Sequence, residues 1–289
     1  MLQSMKHRGP DSTGFALYGL PVEDQLVVRF KVAEPKDLDA GFEIHHQIKQ
    51  RREEVNNRIQ SLGGNIVVAE QATDYAHLVR VKYDHDLRRF ADYIEDVEGA
   101  EILSIGNALE LIKDLGDAEQ VAQQYGLDNF LGTHAIGHVR MATESDVDIC
   151  SAHPFWAYPF SDISVVHNGQ LTNYWGKRRA LERKGLRFAS DCDSELIAVY
   201  LADQLSNDVS LEDAMHKSVE ELDGVFTYVV ATSDCLGMAK DLMAAKPMVL
   251  YEGEDCIALA SEEVAIRGIF PHEIDTVDPY AGEVRVWHK

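Results

Sequence analysis

Four local clusters set polar side chains at the ends of apolar strands, where a rigid scaffold offers groups to a ligand. In Gly137-His138-Val139-Arg140-Met141-Ala142-Thr143, strand periodicity puts His138, Arg140 and Ala142 on one face. An arginine leaving an apolar strand calls for an anion, because an unpaired buried charge is costly. Its planar fork suits a carboxylate, supplied by the protein itself or by a ligand. In Val165-Val166-His167-Asn168-Gly169 the Asn-Gly pair is a turn signal. The same pair also offers a side-chain amide beside a glycine N–H, a good couple of oxyanion donors, with glycine letting the backbone approach a reacting carbon. Ser190-Asp191-Cys192-Asp193-Ser194-Glu195 precedes an apolar helix. Ser190 and Asp193 fit a capping box, and a carboxylate in that place equally suits a ligand ammonium. His7-Arg8-Gly9-Pro10-Asp11-Ser12 reads as a sharp turn in which Asp11 bonds its own backbone two residues on.

Other groups point to less. His134 and His138 share a strand face, but no third metal ligand is indicated nearby, and the zincin pattern needs a helix and a glutamate that are absent here. No metal site is expected. The four cysteines, at 150, 192, 235 and 256, show no CxxC or other metal-like spacing and read as reduced bystander thiols. Cys192 lies between two aspartates, which disfavour its thiolate.

The elements that must position these clusters follow from periodicity. Alternation predicts strands at 12–19, 25–32, 64–71, 75–83, 134–141 and 163–167, and a meander at 225–232, 235–239, 248–251 and 257–260. Helical spacing predicts helices at 40–62, 87–97, 108–124, 173–184, 194–205 and 211–222, with an apolar run at 101–105. Strands in runs with helices grouped between them indicate layered α+β, and no Gly-rich phosphate loop links a strand to a helix. The formal charge of −22 argues against nucleic acid and against an anionic membrane surface. No signal peptide and no run of roughly 20 apolar residues is present, so a cytoplasmic location is expected.

The ordered succession RGPDSTG, GHVRMAT, SAHPF, VVHNG, SDCDSE, DLMAAKP and ALASEE resembles the class II, N-terminal-nucleophile glutamine amidotransferases. It is most similar to the stand-alone amidotransferase subunits of archaeal-type glutamate synthase and N-methylglutamate synthase. The resemblance implies a four-layer αββα sandwich of two antiparallel sheets, the Ntn-hydrolase arrangement, as a single domain over 1–289 with a mixed helical insertion at about 34–131. It implies that Arg140, assisted by Thr143, grips the α-carboxylate of glutamine and that Asp193 binds its α-ammonium. Asn168 and Gly169 would form the oxyanion hole, and Arg8 and Asp11 would support the site. His153 and His167 match family positions near the pocket without an assigned role.

The family's nucleophile is an N-terminal cysteine whose own amine, titrating near ~8, serves as base. Here the sequence begins Met1-Leu2-Gln3-Ser4, shortly before the RGPDS turn, and shows neither that cysteine nor its strand. Two readings follow. One is a glutaminase that hydrolyses glutamine and passes ammonia to a glutamate-synthase-type partner, but is inactive without the missing strand. The other is a nucleophile-less glutamine-binding or structural subunit. The partner implied is a separate FMN- and iron–sulfur-containing synthase chain, with no cofactor expected here; oligomeric assembly is compatible with the sequence. An asparagine synthetase or sugar amidotransferase would need a further acceptor domain, and no ATP-type SGG motif appears.

Overall fold

Strand β1 (Ser12–Gly19) forms where alternation places it, after a short 3-10 helix at Leu2–Arg8. The structure, a computed structural model, describes residues 1–141, 148–270 and 272–289, with the side chains of 39, 40 and 42 left aside. The chain continues through β2 (Leu26–Lys31), α1 (Phe42–Ser61), β3 (Asn65–Gln71), β4 (Ala76–Lys82), α2 (Leu87–Glu95) and β5 (Glu101–Gly106). Next come β6 (Leu109–Leu115), α3 (Ala118–Gln124), β7 (Gly132–Arg140), β8 (Phe155–Trp156) and β9 (Ser164–Leu171). Helices α4 (Tyr174–Arg183), α5 (Asp193–Leu205) and α6 (Leu211–Glu221) lead into β10 (Gly224–Ala231) and β11 (Cys235–Lys240). The last elements are β12 (Val249–Glu252), β13 (Ile257–Ala260), α7 (Glu263–Arg267) and β14 (Val284–His288).

Two antiparallel sheets form the centre, one ordered β6-β1-β7 and the other β14-β11-β10-β9-β8. Ala16, Tyr18, Leu111 and Ile136 of the first pack on Val166, Val229 and Met238 of the second. The far face of the second sheet is covered by α5 and α6, where Leu196, Ile197, Tyr200, Ala214 and Met215 meet Val165, Phe226 and Tyr228. Leu17 and Ile112, facing out of the first sheet, pack on Val121 of α3. Helix, sheet, sheet, helix is therefore the layering, the four-layer arrangement that the resemblance implied. A third antiparallel sheet, β3-β4-β2-β5, carries α1 and α2 and shares the largest core cluster. It lies mostly within the mixed segment at about 34–131. Among the described residues no helix is long and apolar enough to cross a membrane.

Three sequence expectations change. Residues 108–124 are not one helix: β6 pairs with β1 from Leu109 to Leu115, and only 118–124 is helical. Both faces of β6 are largely buried, which erases the strand alternation, and Gly116 at φ 109° breaks the chain between the two elements. Asn168-Gly169 is not a turn; β9 runs straight through it, paired with Thr227 and Phe226. Ser190 does not cap α5 either. Its hydroxyl donates to Glu195 Oε2 at 2.6 Å, and Cys192 occupies the cap position without a side-chain bond.

The two central sheets are tied by polar groups at one end. The buried Tyr18 hydroxyl donates to Ala231 O at 2.6 Å and sits 2.8 Å from Ser164 Oγ, so β1 is joined to β9 and β10. The neighbouring Asp162 carboxylate accepts the N–H groups of Asn107, Ala108 and Leu109 at 2.8–2.9 Å, closing the β5–β6 turn. Only glycine fits at 106, since a Cβ there would lie 2.2 Å from Asp162 Oδ1. Removing the carboxylate strands buried amide donors. Asp162→Ala should lower the unfolding free energy by about 2–4 kcal/mol, with Asp162→Asn intermediate, in urea titrations followed by circular dichroism. Equal stability of both variants with the wild type would contradict this role.

Candidate functional site

The clusters converge at the opposite end of the same strands. Arg140 closes β7, paired with Ser12 of β1, and its backbone carbonyl accepts from Asp11 N at 3.2 Å. The turn before β1 lies against this strand end so closely that a Cβ on Gly9 would sit 2.1 Å from the Arg140 carbonyl carbon. On the facing sheet, β9 brings His167, Asn168 and Gly169 to the same end. A cavity of about 80 Å³ is lined by His138 of β7, His167 and Asn168 of β9, and Thr227, Pro247, Met248 and Ser261 among others.

Gly169 is needed for two reasons. Its φ is 147°, and a Cβ would lie 2.1 Å from Val225 O on the neighbouring strand. Asp193 is the first residue of α5, and its Oδ2 accepts from Leu171 N at 2.9 Å, so its carboxylate is held at the end of β9. Its Oδ1 stands 3.5 Å from His167 Nδ1. Burial alone would raise the Asp193 carboxyl. The His167 ring and the backbone N–H groups of Leu171 and Ser194 outweigh it and hold the group below its ordinary value.

Two further residues are held by partners on neighbouring segments. Arg8 donates to Glu262 Oε1 at 2.8 Å, and His7 contacts the other oxygen of the same carboxylate, which joins the RGPDS turn to the SEE segment. The Arg140 guanidinium donates to Ser151 O at 2.9 Å, tying β7 to the loop that precedes β8. Thr143 lies outside the described residues.

The site also contains groups to which the sequence assigned no role. His153 stacks on His138 with ring centroids 4.3 Å apart, and its Nε2 lies 2.6 Å from Ser194 Oγ. His167 Nδ1 reaches the same hydroxyl at 2.9 Å. Three imidazoles and one serine thus form a buried cluster bridging β7, the loop before β8, β9 and α5. One signal was available: Gly14, inside a strand, is where a Cβ would strike His153 O at 1.9 Å. Burial, followed by the neighbouring His167, Arg140 and Arg8, pushes His138 down to about 4. Burial likewise drives His153 well below its usual value.

None of the four cysteines lines this cavity. Cys192 comes nearest in sequence, and burial raises its thiol, with Asp193 adding to the effect against the Ser194 hydrogen bonds. Among the described residues no cluster of three or more His, Cys, Asp or Glu could hold a metal ion.

Beside the cavity runs a larger apolar one of about 690 Å³. It is lined by Ala135, Ile136 and Gly137 of β7 and by Ile257, Ala258 and Leu259 of β13, with Val166, Val229 and Leu236 at its floor. Gly137, Val166, Val229 and Leu259 line both cavities. Among the described residues β7 is an edge strand and β13 pairs only with β12, so each flank has an unpaired side.

Comparison with known proteins defines the class. The glutamine amidotransferase domain family matches residues 138–268. A Methanothermobacter thermautotrophicus protein that carries a provisional glutamine amidotransferase name is 38% identical over 99% of this chain and 92% of its own length. The Rhizobium meliloti glutamine amidotransferase-like protein GlxB is 32% identical over 92% of this chain and 83% of its own. This chain therefore belongs to the glutamine amidotransferase family. An allosteric regulatory enzyme of purine biosynthesis superposes with a TM-score of 0.61 over 99% of this chain at 18% identity. The glutamine phosphoribosylpyrophosphate amidotransferase of B. subtilis gives 0.53 over 90% at 19% identity. These two likenesses establish the Ntn-hydrolase-type α+β fold, and this chain spans under half the length of either structure.

Histidines kept neutral in the fold give a pH signature. Their folded values lie below the ordinary value of about 6.5, so the unfolded chain takes up protons first as pH falls. The associated stability is complete above pH ~6.5 and is lost as pH drops toward the folded value, about 4 for His138 and for His77 in the third sheet. Unfolding free energy should fall by about 1.4 kcal/mol per pH unit for each such group between pH 6 and 5. Replacing His77 with Leu should shallow the slope, and a flat profile in urea titrations would contradict the neutral assignment.

Proposed function

We propose that this chain binds free glutamine at the β7–β9 end of the sandwich and forms the glutaminase unit of a glutamine-dependent synthase. In this reading Arg140 grips the α-carboxylate, with Thr143 assisting, and Asp193 takes the α-ammonium. Those two charges select a free amino acid over glutamine inside a peptide. Asn168 and Gly169 supply the donors for the tetrahedral oxyanion. Arg8 and Asp11 support the site by fixing the turn against β7. A thiolate attacks the side-chain amide carbon, ammonia leaves, and water releases glutamate. The ammonia passes to an acceptor chain of the glutamate-synthase type, which would hold the FMN and iron–sulfur centres.

The observation that carries this reading is the 690 Å³ apolar space between the unpaired edges of β7 and β13, which opens onto the Asn168 cavity. An extended segment lying there would complete both ladders and deliver its end to the oxyanion donors. We infer that the nucleophile, which is none of the four cysteines, arrives on such a segment. The alternative reading, a glutamine-binding subunit with no nucleophile, shares the pocket and lacks the occupant.

Calorimetry with glutamine tests the pocket. Arg140→Ala should weaken binding by about 2–5 kcal/mol, the scale of a lost hydrogen-bonded charge pair. Unchanged affinity in that variant would count against the whole assignment. Joining a cysteine-headed strand ahead of Met1 tests the chemistry: ammonia release that depends on that cysteine supports the glutaminase reading. Intact glutamine binding without release favours the alternative.

A further inference from the structure

The buried serine of α5 stands between two imidazoles and beside the carboxylate assigned to the ligand ammonium. Ser194 is 1% exposed, and its Oγ lies 2.6 Å from His153 Nε2 and 2.9 Å from His167 Nδ1. A hydroxyl has one proton to donate, so it gives to one ring and accepts from the other. Asp193 decides the direction. Its Oδ1 lies 3.5 Å from His167 Nδ1, so a proton on that nitrogen faces an anion, whereas a bare lone pair there would be repelled. His167 Nδ1–H therefore donates to Ser194, and the Ser194 hydroxyl donates to His153 Nε2.

We propose that Ser194 is a positioning residue for the ammonium-binding end of the site, its hydroxyl locking the His167 ring with Nδ1–H turned toward Asp193. This rests on the assignment of Asp193 to the glutamine ammonium. With Oδ2 bonded to Leu171 N and Oδ1 faced by the fixed imidazole, the carboxylate stays ionised and keeps one orientation. The stack of His153 on His138, with Phe155 edge-on at 5.0 Å, keeps the far end of the chain from turning. The proton order accounts for two polar atoms left over. His153 Nδ1 carries the spare proton and His167 Nε2 the spare lone pair, and neither atom has a hydrogen-bond partner among the described residues. Both rings are thus set in the same tautomer, protonated at Nδ1. Free imidazole side chains favour the other nitrogen, so the pair has a distinctive signature.

Nitrogen-15 NMR of the histidine-labelled wild-type chain reads that signature without any ligand. Protonated Nδ1 and bare Nε2 at both His153 and His167 are expected. A proton on Nε2 of either ring overturns the proposal. In Ser194→Ala both rings should lose the single tautomer, and calorimetry should show glutamine bound roughly tenfold more weakly, the scale of one hydrogen bond to a charged group. Ser194→Ala with unchanged tautomers and unchanged affinity also overturns it. If the wild-type chain binds no glutamine, the functional reading fails, and the two tautomers alone then decide the proton order.

Discussion

The whole site depends on how two antiparallel sheets are held against each other. Apolar packing between them is not directional, and Ala16, Ile136, Val166, Val229 and Met238 would tolerate sliding along the strands. The Tyr18 hydroxyl does not, because its partners are single atoms, Ala231 O and Ser164 Oγ. Asp162, two residues before Ser164, extends the tie to the β5–β6 turn through three backbone amides. These bonds fix the facing of β1 and β7 with β9 and β10. Tyr18 lies six residues along β1 from Ser12, and Ser164 four along β9 from Asn168, so that constraint acts roughly 20 Å from Arg140 and roughly 13 Å from Asn168.

At the far end the fold does the opposite of closing. β7 remains an edge, β13 stands apart with β12, and an apolar space lies between them next to the polar cavity. An open, apolar, long edge is ordinarily a liability for pairing with other chains. Here it is flanked by the 3-10 helix at Leu2–Arg8, whose Leu2 lies where a Cβ on Gly137 would meet it at 2.6 Å. The arrangement leaves the apolar space lined on one side by sequence-distant strands and on the other by Met1, Leu2 and Gln3.

Polar burial near the cavity follows a consistent economy. Each charged group is held by neutral donors or by one opposite charge: Asp193 by Leu171 N and His167, Glu195 by the amides of Ala189 and Ser190, Arg8 by Glu262. The His138 and His153 rings are instead kept neutral by burial, with the cations Arg140 and Arg8 adding to the effect at His138.

Much of this protein is legible in the sequence alone. Apolar runs located β1, the first part of β9 and β10, and the helix at 194–205 announced itself by a long apolar stretch. Residue types also singled out Arg140, Asn168, Gly169 and Asp193, since a guanidinium after an apolar strand or an Asn-Gly after a β-branched run needs a reason. The sequence could not show that Asn168-Gly169 stays inside a ladder, because local propensity favours a turn and only pairing with Thr227 and Phe226 overrides it. Residues 108–124 misled for the same reason: a strand buried on both faces loses its period of two. Above all, the meeting of His138, His153, His167 and Ser194 has no sequence signature. They lie on four segments 14 to 56 positions apart, and only the stacking of the two sheets brings His153 and His167 to one hydroxyl, with His138 stacked on His153.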